Sequence, residues 1–207
     1  MRVSSFYIDK YKVSLADCCR FLNDGNAGYR SPPGKQYWYP QLPEAITRDA
    51  DGQFVVTPER AAVPVTGISL YQAAGYAEWA GKRLPTEAEF EYVAGGKHGY
   101  MYPWGNEKPD FRRAHINIGM LSVPGDTYPK GASPEGVFDL MGNGAQWVAD
   151  YFDHDYYAKA PPHGLLELAT GPPHGVPKHQ FARMLKGWCR CPEDAEILLQ
   201  HNKRHPR

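Results

Sequence analysis

The chain has 207 residues, and its 23 Lys and Arg side chains balance its 23 Asp and Glu side chains, so the formal net charge is zero. Glycine (21 residues) and proline (19 residues) are both more common than in an average globular chain. This composition disfavours a long solenoid, a coiled coil and a bulk nucleic-acid binder, and it predicts a turn-rich domain.

The first predicted element is a strand followed by a turn, because residues 3–13 are rich in aromatic and β-branched side chains. A helix is predicted to begin next, since Ser14 and Asp17 have the spacing of a capping box. Cys18 and Cys19 lie on its apolar face, so we expect both thiols to be buried rather than reactive.

Two further helices are predicted in the middle of the chain. Ser69 and Gln72 form a second capping box, and Gly81 is placed to end the helix that it starts. Thr86 and Glu89 form a third capping box a few residues later. The two helices are therefore expected to follow each other closely.

The remaining segments are predicted to be mostly irregular. Residues 26–62 show no clear periodicity, and long helical patterns stop after residue 96. Short strands are predicted at residues 136–141 and 182–187. The expected fold class is α+β, with helices early in the chain and short strands and loops late.

The beginning of the chain, MRVSSFYIDKYKV, has no apolar stretch of the kind found in secretory signal peptides. No run approaches the roughly 18 apolar residues that a membrane span needs. We therefore expect no signal peptide and no membrane insertion. The expected location is the cytoplasm, or a virus particle or larger assembly on which the protein is displayed.

Four strings occur in a recognisable order: FYIDKYKVS from Phe6, GKRLPTEAEFEY within residues 64–96, YPWGN from Tyr102 and GVFDLMGNGAQWVADYF from Gly136. Together they resemble the formylglycine-generating enzyme family, also called the sulfatase-modifying factor family. The resemblance implies a single C-type-lectin-like domain over residues 1–207, with two to three helices, short strands and much loop.

Members of this family have different functions, so the fold alone does not decide among them. Some are copper-dependent oxidases that convert a peptide cysteine to formylglycine through two cysteines separated by four residues. In this chain Cys189 and Cys191 are separated by one residue, and the context is changed by Trp188. These two thiols are the catalytic candidates if the chain is an oxidase with copper as its cofactor. Iron-dependent sulfoxide synthases are disfavoured, because the histidines are scattered without ligand spacing.

The family also includes non-catalytic members, among them the variable ligand-binding proteins of diversity-generating retroelements. The end of this chain departs most from the family pattern, so we interpret residues 188–207 as a binding segment for a protein or other surface ligand. Its mixture of aromatic, charged and amide side chains is typical of interfaces. The candidate ligand-binding residues are Trp188, Cys189, Arg190, Cys191, Glu193, Asp194, Glu196, Gln200, His201, Asn202 and Arg204.

Calcium is a further expectation that comes from the resemblance. One family site matches Asn117, Ile118, Asp126 and Tyr128, and a second matches the loop that contains Asn143 and Gln146. Oxygen ligands of these types suit calcium. Relatives have a glutamate where this chain has Gln146, so we expect weaker binding at the second site. The alternative for the two asparagines is a turn-forming role.

The first hypothesis is thus a non-catalytic ligand-binding or display protein, closest in character to the retroelement variable proteins. The alternative is a copper-dependent formylglycine-generating oxidase. The sequence does not identify the ligand, and it does not fix the oligomeric state.

Overall fold

The computed structural model describes residues 3–24, 45–116, 122–151 and 182–185. Within these ranges the chain has three α-helices, two small antiparallel sheets and long irregular connections. The expected α+β class with short strands and much loop is confirmed. None of the helices in the described ranges is long and apolar enough to cross a membrane.

Helix α1, Leu15–Asn23, begins at the predicted capping box, in which Ser14 accepts a hydrogen bond from the Asp17 amide and the Asp17 carboxylate accepts one from the Ser14 amide. Its apolar face packs on Ile46 and Val63. Cys19 is buried as expected, whereas Cys18 is only half-buried at the edge of this cluster.

Helix α2, Leu70–Trp79, is bounded as predicted. The Ser69 and Gln72 side chains form both hydrogen bonds of the capping box. Gly81 follows the last turn with a φ of 68°, and the next amide, of Lys82, donates to the Ala77 carbonyl at 2.7 Å. This left-handed end is favourable for glycine, which has no Cβ, and it explains where α2 stops.

Helix α3, Glu87–Val93, begins at the predicted Thr86 and Glu89 capping box. Its buried side chains Phe90 and Val93 pack against residues of the later segment, among them Leu140 and Val148. The helix thereby joins the N-terminal and C-terminal parts of the described structure in one apolar cluster.

The strands are short. Strand β1, Thr47–Arg48, pairs with β2, Phe54–Val55, in an antiparallel hairpin within the segment that was predicted to be irregular. Strand β3, Gln146–Tyr151, pairs antiparallel with β4, Ala182–Leu185. Strand β4 confirms most of the strand predicted at residues 182–187, since residues 186 and 187 lie outside the described ranges.

Two predicted strands are wrong. Residues 136–141 are irregular, because Gly136 and Asp139 have φ values of 80° and 54° and a strand requires negative φ. Residues 3–13 do not form a strand either, although Phe6 and Ile8 pack on the core and Tyr7 points to solvent. The aromatic and β-branched side chains that suggested a strand therefore pack on the core without forming a ladder.

Candidate functional site

A cleft of about 650 Å³ lies between residues 5–13, α2, the connection at residues 81–85 and the start of β3. One wall is apolar and includes Phe6, Ile8 and Tyr76. Polar side chains also line the cleft, among them Lys12, Gln72, Lys82, Arg83, Glu89 and Gln146. A concave surface with an apolar lining and a few polar groups is the usual form of a ligand site.

An ion pair forms part of the cleft wall. The Arg83 guanidinium donates two hydrogen bonds to the Glu89 carboxylate, at 2.8 and 2.6 Å. The Glu89 side chain is 5% exposed and the Arg83 side chain 56% exposed, so arginine covers the carboxylate from the solvent side. Burial alone would raise the pKa of Glu89, but the hydrogen bonds from Arg83 and the Thr86 amide outweigh it and leave the pKa below its usual value.

Strand β3 is fixed against the helices by three hydrogen bonds. The Trp147 indole donates to the Ile68 carbonyl at 2.9 Å, just before α2. The Asp150 carboxylate accepts from the Glu87 amide at 2.6 Å, in the first turn of α3. The Ala149 amide donates to the Pro85 carbonyl. These bonds place Trp147 and Gln146 at the edge of the cleft.

The thiol at the cleft is not activated. Burial raises the pKa of Cys18 to about 12, with smaller contributions from the neighbouring Cys19 and Asp17. Burial also raises the pKa of Cys19. Both thiols are therefore protonated at neutral pH, whereas nucleophilic attack and copper ligation use the thiolate. The described ranges contain no group of three or more His, Cys, Asp or Glu side chains that could hold a metal ion.

Beside the cleft, residues 142–144 form a turn that we call the carbonyl loop. The Asn143 side chain is 1% exposed and is held by three hydrogen bonds. Its amide nitrogen donates to the Val123 carbonyl and to the Asp139 carboxylate, each at 2.8 Å, and its oxygen accepts from the Val123 amide at 3.0 Å. Asn143 therefore joins two loops that are distant in sequence.

The carbonyl loop holds the ammonium of Lys12. Its Nζ atom lies 2.8, 3.2 and 2.6 Å from the carbonyl oxygens of Gly142, Asn143 and Gly144. Burial lowers the pKa of Lys12 to about 8, and the negative charge of Asp139 acts in the opposite direction. Lys12 thus remains largely charged at neutral pH. Sequence reasoning missed Lys12, because nothing in its local sequence indicates a partner about 130 residues away.

Asp139 supplies the opposite charge near the carbonyl loop. It is buried and has a φ of 54°, which is uncommon outside glycine. Burial raises its pKa, although the hydrogen bond from Asn143 and the charge of Lys12 oppose that effect. Sequence reasoning also missed this residue, which was expected to lie in a strand.

The two predicted calcium sets have different outcomes. Asp126 is exposed and Tyr128 is half-buried, but Asn117 and Ile118 lie outside the described ranges, so the first set stays a prediction. At the second set the residues present do not fit a calcium ion, because an ammonium already occupies the carbonyl loop and two positive charges would repel at one set of oxygens. The Gln146 side-chain amide also donates a hydrogen bond to the backbone carbonyl of Asp139 at 3.2 Å.

The predicted C-terminal site lies outside the described ranges and stays a prediction. This applies to the alternative catalytic residues and to the whole ligand-binding set, namely Trp188, Cys189, Arg190, Cys191, Glu193, Asp194, Glu196, Gln200, His201, Asn202 and Arg204.

Comparison with known proteins identifies the family to which this chain is similar. A profile described as "Sulfatase-modifying factor enzyme 1-like domain" matches residues 1–204. The chain is 34% identical over 206 residues to the serine/threonine-protein kinase pkn1 of Chlamydia pneumoniae, a match that covers 97% of this chain and 30% of that protein. It is 34% identical over 224 residues to the formylglycine-generating enzyme of Thermomonospora curvata, which covers 90% of this chain and 71% of that enzyme.

A third relative bears a name of a different kind. The inactive C-alpha-formylglycine-generating enzyme 2 of Mus musculus is 35% identical over 130 residues, which is 56% of this chain and 41% of that protein. The chain spans about 30% of the length of the chlamydial relatives.

Proposed function

The chain belongs to the family of sulfatase-modifying factor enzyme 1-like domains, and from that premise we propose that it binds a ligand without catalysing its oxidation. The ligand is a protein or another surface ligand. The candidate binding regions are the cleft beside α2 and the divergent segment at residues 188–207, which is proposed from its sequence alone. In this role the chain resembles a display protein, such as a variable protein of a diversity-generating retroelement.

The observation that carries the proposal is the chemistry of the cleft. A volume of about 650 Å³ is large enough to hold several side chains of a partner. Within the described part of the chain the thiol that lines the cleft is Cys18, whose pKa burial raises to about 12, so it is protonated and a poor nucleophile at neutral pH. The alternative catalytic thiols, Cys189 and Cys191, lie outside the described residues. The apolar wall and the Arg83–Glu89 pair can contact a ligand without changing it covalently.

The C-terminal sequence supports the same proposal. An oxidase of this family uses two cysteines separated by four residues, whereas Cys189 and Cys191 are separated by one. Trp188 and Arg190 beside them are of the residue types that contribute most binding energy at protein interfaces.

The relatives support the proposal only at the level of the domain. One relative is named an inactive enzyme, and the chlamydial relatives are named protein kinases, of which the matched region is about 30%. The same domain therefore occurs in proteins that are not named for formylglycine formation.

The alternative function is copper-dependent oxidation of a peptide cysteine. A specific observation favours it, since the similarity to the Thermomonospora curvata enzyme covers 90% of this chain and 71% of that enzyme. In this case Cys189 and Cys191 would hold copper(I), which prefers thiolate ligands. Residues two apart in an extended segment face the same side, so both thiols could reach one ion.

Titration with copper(I) under anaerobic conditions separates the two functions. We expect no tight one-to-one complex in the unaltered chain, and no difference between Cys189→Ser and the control Cys18→Ser. A tight complex that persists in Cys18→Ser but is lost in Cys189→Ser would establish the alternative.

A binding experiment tests the proposal itself. The immobilised chain is used to select from a library of displayed random peptides, and the selected peptides are measured by calorimetry. Trp188→Ala and Arg190→Ala should weaken binding at least tenfold, whereas the control Phe111→Ala should not, since Phe111 is an exposed aromatic residue that does not line the cleft. Equal affinities for all three variants would contradict a binding role for the C-terminal segment.

A further inference from the structure

The Lys12 ammonium and the carbonyl loop match each other in number and in geometry. An ammonium has three N–H donors and no acceptor, and three consecutive carbonyl oxygens surround Nζ at 2.6 to 3.2 Å. Every donor of the half-buried ammonium therefore has a partner, which lowers the cost of removing the charge from water. This arrangement is a cation site whose cation is part of the chain.

The loop backbone is arranged in an unusual way that produces this ring of oxygens. Gly142, Asn143 and Gly144 have consecutive positive φ values of 86°, 50° and 93°. A Cβ atom at Gly142 would lie 2.4 Å from the His115 carbonyl oxygen, so that position requires glycine. The three carbonyl dipoles point towards one place and repel each other, and a positive charge between them removes that repulsion.

The charges around the loop agree with an ammonium. Gln146 is neutral and its amide donates to the Asp139 backbone carbonyl, so among the described residues the Lys12 ammonium brings the positive charge at the carbonyl loop. The buried carboxylate of Asp139 then balances it through space and through its hydrogen bond from Asn143.

We infer that Lys12 is the resident cation of the carbonyl loop and replaces a calcium ion there, so that this loop folds without metal. The inference is independent of the proposed function. It makes two claims that can be tested separately, namely that the loop needs the Lys12 ammonium and that it binds no calcium while that ammonium is present.

The test measures melting temperature in calcium chloride and in a calcium chelator. All proteins carry Asp126→Asn, which removes the carboxylate of the first predicted calcium set and so isolates the carbonyl loop. The matched control for loss of a lysine is Lys82→Met, because Lys82 is exposed and pairs with the exposed Asp9. If Lys12→Met does not fold, Lys12→Gln replaces it, because the glutamine amide keeps two donors.

Three results are expected. With Lys12 present, calcium should leave the melting temperature unchanged. Lys12→Met should lower the melting temperature by several degrees more than Lys82→Met. The double variant Lys12→Met/Gln146→Glu, which restores the carboxylate and removes the ammonium, should gain a melting temperature that rises with calcium and falls with chelator.

Three results would overturn the inference. One is a calcium-dependent rise in melting temperature while Lys12 is present. The other is an equal loss of stability in Lys12→Met and Lys82→Met, which would mean that the loop does not need the ammonium. A double variant that stays insensitive to calcium would overturn the claim that the ammonium replaces a calcium ion.

Discussion

The helical segment at residues 69–94 and the carbonyl loop at residues 142–144 differ in the sequence separation of the side-chain hydrogen bonds that define them. In the helical segment the capping boxes join residues three apart, and the Arg83–Glu89 pair joins residues six apart. The carbonyl loop depends on Lys12, about 130 residues away, and Asn143 bonds to Val123, 20 residues away. The hydrogen bonds that start the helices are therefore local, although α3 also packs on the later segment, whereas the hydrogen bonds that hold the carbonyl loop are distant ones.

The largest effect is expected from a pair of glycines, one in each region. Gly81→Ala should cost about 1 kcal/mol, because its φ is positive but no atom lies within 4 Å of the new Cβ. Gly142→Ala should cost roughly 3–5 kcal/mol, because the new Cβ also meets the His115 carbonyl at 2.4 Å. Urea unfolding measures both, and equal costs would show that the close contact relaxes without penalty.

A second pair compares two asparagines. Asn143→Ala should cost about 3 kcal/mol of unfolding free energy, since it removes three hydrogen bonds that the backbone of half-buried Val123 and the carboxylate of buried Asp139 make with this side chain. Asn106→Ala should cost less than about 1 kcal/mol, because exposed Asn106 accepts one bond, from the Met101 amide. The comparison fails if Asn106→Ala is the more damaging change in thermal unfolding.

The Arg83–Glu89 pair should make the helical segment sensitive to acid. The pKa of Glu89 is below its usual value in the folded chain, so its stabilising contribution is present above the unfolded value of about 4.3 and is lost as pH falls through the folded pKa. Glu89→Gln should therefore cost about 1–2 kcal/mol at pH 7 and progressively less below about pH 4. A cost that stays constant between pH 7 and pH 3 would assign the loss to packing.

The smallest effect is expected at a helix cap. Ser69→Ala should lower the unfolding free energy by about 1 kcal/mol, because the side chain satisfies the Gln72 amide at the start of α2. Amide hydrogen exchange should become faster mainly in the first turn of α2. Faster exchange in the carbonyl loop as well would show that the two regions are coupled.

This difference in range also explains how much the sequence predicts. All three helix starts were predicted, because a capping box is a pattern of residues three apart. The end of α2 was also predicted from a local signal, because Gly81 adopts the left-handed conformation that ends the helix. The irregular segment at residues 136–141 was predicted as a strand, because its apolar residues are typical of strands and its positive φ values at Gly136 and Asp139 are not visible in the sequence.

The carbonyl loop was predicted only in part. Asn143 was predicted as a calcium ligand, with a turn-forming role as the alternative, but its hydrogen bonds to Val123 and Asp139 depend on tertiary structure. Lys12 resembles any other lysine in an N-terminal segment of mixed polarity, so its role follows only from coordinates. Local patterns therefore predict where elements begin and end, and they do not predict which distant side chain completes a loop.

The central claim is that this domain binds its ligand without oxidising it. The most direct test incubates the chain with copper(I), a thiol reductant, oxygen and a cysteine-containing peptide, and follows the peptide by mass spectrometry. The account predicts that the peptide is recovered with its cysteine intact. Conversion of that cysteine to an aldehyde, lost in Cys191→Ser but retained in Cys18→Ser, would contradict it.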